Sequence, residues 1–124
     1  MTSEDLGLID TPTTQHVAGF RYDSSLDGSV EFRAVSCDGA SNVETTNTGV
    51  AVVASTFFTF QIVFIASGGV VSSIKFYINS ALVATHTTRF PGTGTDLKFN
   101  TVCSNVSVAA TRRFEFSRWG ALIP

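Results

Sequence analysis

Charge is scarce in this chain. Asp, Glu, Lys and Arg make up 15% of its 124 residues, against about 25% in an average domain. The net charge is −2 and no basic tract exists, so the electrostatic footprint of a nucleic-acid binder is missing. Metal-binding spacings are absent too. Cys37 and Cys103 are far apart, no CxxC occurs, and His16 and His86 stand alone. A zinc site needs ligands clustered at short spacing. No DxDxDG pattern is present for calcium, although Asp23 and Asp27 bracket one turn. No run of eighteen apolar residues offers a membrane-crossing helix. The opening residues MTSEDLGLID are acidic and poor in apolar side chains, unlike a secretion signal. No metal, cofactor, nucleic acid or membrane is expected as a partner.

Helical periodicity is also lacking, and what remains reads as strands. The chain is 44% hydrophobic, with 11 Phe against one Trp and two Tyr. Phe has no polar handle, so most of these rings want burial. The clearest segment is Ser73–Thr88, SIKFYINSALVATHTT. Ile74, Phe76 and Ile78 alternate with Ser73, Lys75, Tyr77 and Asn79, which makes one face apolar and the other polar. Asn79-Ser80 offers a tight turn, and Leu82 to Thr85 resumes as a strand.

Other strands are expected over Val17–Tyr22 and Ser29–Ser36, followed by turn-rich joints at 23–28 and 37–42, and over Val43–Thr46 and the β-branched Gly49–Ala54. In the second of these, Val30, Phe32 and Ala34 face one way and Glu31, Arg33 and Val35 the other. The longest apolar run, Thr56–Ala66, puts Phe58, Phe60, Ile62 and Phe64 on one face. Its second face turns apolar towards the end, the pattern of a central strand covered on both sides. Asp96–Cys103, Asn105–Ala109 and Thr111–Trp119 complete the set. Near the end, Arg112, Arg113 and Arg118 are interleaved with Glu115, a solvated strand face before an anion site. Asn105-Val106-Ser107 fits the glycosylation pattern, a match common by chance. Many short strands with no helix predict an all-β, antiparallel two-sheet sandwich. The expected organisation is an N-terminal arm over 1–16, a sandwich over 17–119 and an apolar tail over 120–124. The two cysteines could form one disulfide or remain as two small buried thiols.

The order of these segments resembles a known group. The sequence runs from Asn47-Thr48-Gly49-Val50-Ala51-Val52 through the aromatic strand Phe57–Phe64 to Ile74-Lys75-Phe76-Tyr77-Ile78-Asn79-Ser80-Ala81-Leu82-Val83-Ala84-Thr85. Thr87-Thr88-Arg89-Phe90-Pro91 follows, and Arg112-Arg113-Phe114-Glu115-Phe116 closes the chain's last strand. This resembles the C-terminal half of concanavalin-A-like (laminin-G-like) jelly rolls found in phage virion proteins, where the hairpin reads like FYINGxLVAT. Ser80 departs from that pattern, because both positions of an Asn-Gly turn want positive φ. A distorted or longer turn is expected there. Phe116-Ser117-Arg118-Trp119 also departs from the Asp-Tyr pair usual in the closing strand.

The resemblance implies a non-enzymatic virion structural protein, a capsid decoration, head-fibre or tail-fibre module of a bacteriophage. Such a protein would be a homotrimer held to other virion proteins, the major capsid or fibre stem, through its N-terminal arm. Trp119, Leu122 and Ile123 are the expected oligomer contacts. The alternative is a carbohydrate-binding, lectin-like module for host-surface glycans. Tyr22, Tyr77, Asp23 and Asn79 would contact the sugar, with Trp119, Asp27 and Asp38 as further candidates. Catalysis finds no residues. Glucanases of this fold need paired carboxylates, and Glu31, Glu44 and Glu115 have no second carboxylate at the required spacing. No Ser-His-Asp grouping or phosphate loop is legible. The alternation of the hairpin predicts that Phe76→Ala costs about 3–5 kcal/mol of unfolding free energy in urea titration, as an emptied aromatic core site should. A loss under about 1 kcal/mol would mean that the sheet face is inverted.

Overall fold

The computed structural model describes residues 16–22, 30–40 and 43–92. These residues hold six strands and no helix: β1 (His16–Arg21), β2 (Glu31–Asp38), β3 (Val43–Ala51), β4 (Phe60–Ser67), β5 (Val70–Ile78) and β6 (Ala81–His86). Two antiparallel three-stranded sheets result, in the orders β1-β2-β3 and β4-β5-β6. Each sheet is a run of consecutive strands. Among the described residues the chain passes from one sheet to the other once, between β3 and β4. The two sheets pack in a sandwich-like arrangement, with β1 meeting β4 and β3 meeting β6.

The apolar face of β5 builds the centre. Ile74 and Phe76 are fully buried and Ile78 nearly so. Ile74 and Phe76 form a core cluster with Ala34 of β2 and Ala84 of β6. Ala18, Phe20 and Ile62 pack against it. The small Ala34 lets β2 come close over Phe76. The ring of Phe20 meets Phe76 edge-on at 5.5 Å between centroids, and lies 4.8 Å from Phe60. Phe32 extends the aromatic layer to Phe58 and Phe60 at 5.1 and 5.0 Å. Such tilted and edge-on pairs each add about 0.5–1.5 kcal/mol beyond area burial.

The expected face of Phe60, Ile62 and Phe64 does point at the core, since they pair with Ile78, Phe76 and Ile74. The expectation of a central, doubly covered strand here is corrected. Among the described residues β4 pairs with β5 alone, and Phe60, Phe64 and Ile65 are exposed. Two-sided burial belongs instead to β2, where Ala34, Val35, Ser36 and Cys37 are all at 0% exposure. Cys37 is a free thiol. Apolar residues on both faces of a strand show that both faces can be covered, but strand order decides which strand is.

Two further boundaries differ. The strands expected over Val43–Thr46 and Gly49–Ala54 are one strand, β3. The joint between them is a bulge opposite Glu31 and Arg33, with Gly49 at φ 72°. Side chains stitch it: the Thr48 hydroxyl donates to the Phe32 carbonyl at 2.7 Å, and Asn47 Oδ1 accepts from the Gly49 N–H at 3.1 Å. The second correction concerns Asn79-Ser80. The turn is neither longer nor distorted. Ile78 faces Ala81 directly, and Asn79 and Ser80 take φ 50° and 68°, the signs of a type I′ turn. Asn79 holds it by exchange with Thr59: its N–H donates to the Thr59 carbonyl at 2.8 Å, and its Oδ1 accepts from the Thr59 N–H at 2.9 Å. The irregularity falls further along the hairpin, between Phe76 and Tyr77.

His16 is the first residue of β1 rather than the last of an arm. Residues 1–15, Cys103, the strands expected from Asp96 onward and the tail over 120–124 lie outside the described residues. A side chain at positive φ is crowded by its own Cβ, at a cost of roughly 1–2 kcal/mol that glycine escapes. Ser80→Gly is therefore expected to raise the unfolding free energy by about 0.5–1 kcal/mol after glycine's greater unfolded-state entropy is set against it. Urea midpoints of the two proteins check this, and an unchanged or lower midpoint contradicts it.

Candidate functional site

Among the described residues, a buried polar cluster is centred on His86. Strand β6 alternates, so Ala84 and His86 both point inward between the sheets. His86 is fully buried, with its ring 4.7 Å from that of Phe76. An imidazole there must find partners or pay the full cost of desolvation. It finds them on the first sheet. Nδ1 lies 2.7 Å from the hydroxyl of Ser36 on β2, and Nε2 lies 3.0 Å from the hydroxyl of Thr46 on β3. A neutral ring has one donor and one acceptor nitrogen, so one hydroxyl gives a hydrogen bond and the other receives one. Each hydroxyl can do either, which satisfies both tautomers.

Burial pushes the His86 pKa below the usual imidazole value, and the negative charge of Glu44 partly offsets this. Glu44 is committed elsewhere. Its Oε2 accepts from the N–H and hydroxyl of Thr88 at 3.2 and 2.6 Å.

A serine hydroxyl beside an imidazole is also the pairing of nucleophile and general base. Here Ser36 and His86 are both at 0% exposure. The second ring nitrogen meets a hydroxyl rather than an orienting carboxylate. No substrate reaches Ser36 Oγ in this arrangement. What the cluster does is join β6 to β2 and β3 across the interior.

A second constellation lies at the same end of the sheets. Asp38, the last residue of β2, pairs with Arg89 at 3.5 Å. His16 Nδ1 accepts from the Gly92 N–H at 2.9 Å. Gly39 makes room for the His16 ring, since a Cβ there would sit 2.8 Å from it. An open hollow of about 220 Å³ is lined by Asp38, Val70, Val71 and residues 89–92.

The expected sugar contacts are not gathered in one place. Tyr22 follows β1 on the core-facing side, with its ring 6.4 Å from that of Phe32, and is 45% exposed. Tyr77 alternates with the buried Phe76 and Ile78, so it lies on the far face of the second sheet. Asn79 spends its side-chain oxygen on the turn. Asp23 and Asp27 lie outside the described residues, as do the expected oligomer contacts Trp119, Leu122 and Ile123. Among the described residues no group of three His, Cys, Asp or Glu could hold a metal ion, and no helix is long and apolar enough to cross a membrane. Sequence reasoning missed the His86 cluster because its partners are 40 and 50 positions away. The available signal was His86 sharing the inward face of a strand with Ala84. Compared with known protein families, curated proteins and solved structures, the chain matches none.

The lowered pKa of His86 makes stability depend on pH. The unfolded chain takes up a proton at its ordinary value, about 6.5, whereas the folded protein resists until a lower pH. Below about pH 6.5 the unfolded state binds more protons, so stability falls with acidification until the folded value is passed. Urea denaturation between about pH 7.5 and 5 should show this decline, and His86→Gln should flatten it. An equal slope in both proteins would remove His86 as the cause.

Proposed function

We propose that this protein is a non-enzymatic structural module of a virion, a capsid decoration or fibre component, that works as a homo-oligomer. On this reading the two sheets belong to a concanavalin-A-like jelly-roll sandwich. The resemblance of the hairpin, the aromatic strand and the Thr-rich segment supports the family. The observation that carries the association is strand β4. Phe57, Phe60, Phe64 and Ile65 are 65, 42, 37 and 40% exposed. Among the described residues β4 pairs on one side only. From Thr45 to Ile74 the chain has no Asp, Glu, Lys or Arg. Edge strands of monomers carry charges, proline or short length to prevent pairing, and β4 has none of these. On this reading the apolar edge is covered by a second copy or by the shell to which the module attaches.

Light scattering at low micromolar concentration tests the reading. A trimer is expected. Ile65→Lys should convert it to a monomer with unchanged circular dichroism, because a lysine on an outward-facing edge position opposes strand pairing. A wild-type monomer would overturn the oligomeric module, and binding on a glycan array would then favour the lectin-like alternative.

A further inference from the structure

The two ends of the sandwich differ in a complementary way. One end holds the close of β1 and β3 and the start of β2 and β4, and the crossing from β3 to β4 runs over it. Phe58 in this crossing turns inward, with its ring 5.1 Å from that of Phe32 and 6.2 Å from that of Phe60. Its neighbour Phe57 points out and is the most exposed large apolar side chain among the described residues. The backbone beneath Phe57 is tied down. Ser55 turns the chain at φ 56° two residues before it, and Thr59 exchanges hydrogen bonds with Asn79 two residues after. A phenyl ring is thus held out on a fixed support. The opposite end holds the hollow of about 220 Å³, lined by Asp38 at the close of β2, Val70 and Val71 at the start of β5, and residues 89–92. Strand β5 has nine residues, which sets the two ends about 30 Å apart. Pro91 is buried and Phe90 packs on the core, so the floor is firm. Val70 at the mouth is exposed. An apolar cavity of about 150 Å³ takes up benzene, so the hollow has room for a phenyl ring.

We propose that Phe57 of one copy enters the hollow of the next, so that the protein associates with itself end to end. A second copy is the partner favoured because one chain carries both the knob and a hollow that matches it in size and polarity. Charge permits the contact. The segment from Thr45 to Ile74 has no Asp, Glu, Lys or Arg, so the knob brings none. The two charges on the rim of the hollow, Asp38 and Arg89, face each other at 3.5 Å. Neither is left buried and unpaired when the ends meet. A strongly charged partner would lose water over Phe57 and gain no opposite charge from this segment in return. The contact is heterologous, because knob and hollow are different surfaces at opposite ends. Each joined pair keeps one free knob and one free hollow, so units add in a line instead of stopping at two. One ring in one hollow is far smaller than the roughly 1,200 Å² of a stable interface, which places the dissociation constant at about 0.1–1 mM. The contact forms where copies are concentrated or held in a row, and is absent at low micromolar concentration. It uses the ends of the sandwich and not the edge of β4, so it stands whether or not that edge forms an oligomer.

Sedimentation of the full chain at concentrations from about 10 μM to 1 mM tests it. The mass at the lowest concentration defines the starting unit, whether monomer or trimer. The mean mass should at least double by the highest concentration. Phe57→Ser removes the knob, and Val70→Glu puts a carboxylate at the mouth of the hollow. Each variant alone should stay at the starting mass. Both positions are exposed, and an unchanged circular dichroism spectrum checks that the fold is kept. Mixed in equal amounts, the two variants should associate again, because the intact hollow of the first meets the intact knob of the second. A wild-type mass that stays constant up to 1 mM would overturn the proposal. So would undiminished growth in either variant alone, or no association in the mixture. A trimer that does not grow overturns this inference and leaves the oligomeric module standing, whereas a monomer that grows does the reverse.

Discussion

Phe76 is where the two sheets converge. Its ring fills the space over Ala34, takes the edge of Phe20 and lies against the imidazole of His86. Full burial of such a side chain contributes about 1.5–3 kcal/mol by area alone. The larger effect is geometric. Ala34 and Ala84 are small because Phe76 is large, and that complementarity sets how closely β2 approaches β5. With that spacing established, Phe20, Phe32, Phe58 and Phe60 meet as a continuous aromatic layer. The layer's residues come from the first sheet, from β4 and from the segment leading into it, so it ties β4 to the sheet opposite.

The polar cluster depends on the same spacing. His86 reaches Ser36 and Thr46 only when β6 lies under β2 and β3 at the distance that Phe76 defines. The hydrogen bonds themselves are modest in net terms, about 0.5–1.5 kcal/mol each. Their value is specificity. A slip of one residue in β6 would point His86 outward and leave two buried hydroxyls without it. The cluster thus fixes which residues of the two sheets face each other, while the hydrophobic layer supplies most of the attraction. Thr88, Arg89 and Gly92 then bond to Glu44, Asp38 and His16 at the end of the first sheet, beyond the point where His86 anchors the chain.

Composition and exposure bear on function together. A chain with few charges, and with none from Thr45 to Ile74, makes strands whose outer surfaces are weakly hydrated. β4 concentrates that property at an edge. The buried Ser36–His86 pair has the atoms of a catalytic pair without access, and the dispersed Tyr22, Tyr77 and Asn79 have the atoms of a sugar platform without a common face. The apolar edge that β4 presents among the described residues is the observation on which the proposal of a structural module rests.

Much of this was legible locally. Alternation placed Ile74, Phe76 and Ile78 on the buried side and located the hairpin turn, because side-chain direction in a strand has period two whatever the strand pairs with. The all-β class followed from the same periodicity and the turn residues. Alternation is silent about neighbours. It showed apolar residues on both faces of the segment over 56–66 but could not say that, among the described residues, β5 and β2 would have neighbours on both sides and β4 on one. It divided 43–54 into two segments, where a bulge lets one strand continue. Nor could it reveal that His86, taken as solitary, meets hydroxyls 40 and 50 positions away, or that Thr88, Arg89 and Gly92 would each find a different strand. The sequence by itself determined which way each side chain of a strand points. The tertiary structure decided what each one meets, because strand order and sheet stacking rest on long-range contacts summed over the whole core, and no local pattern contains that sum.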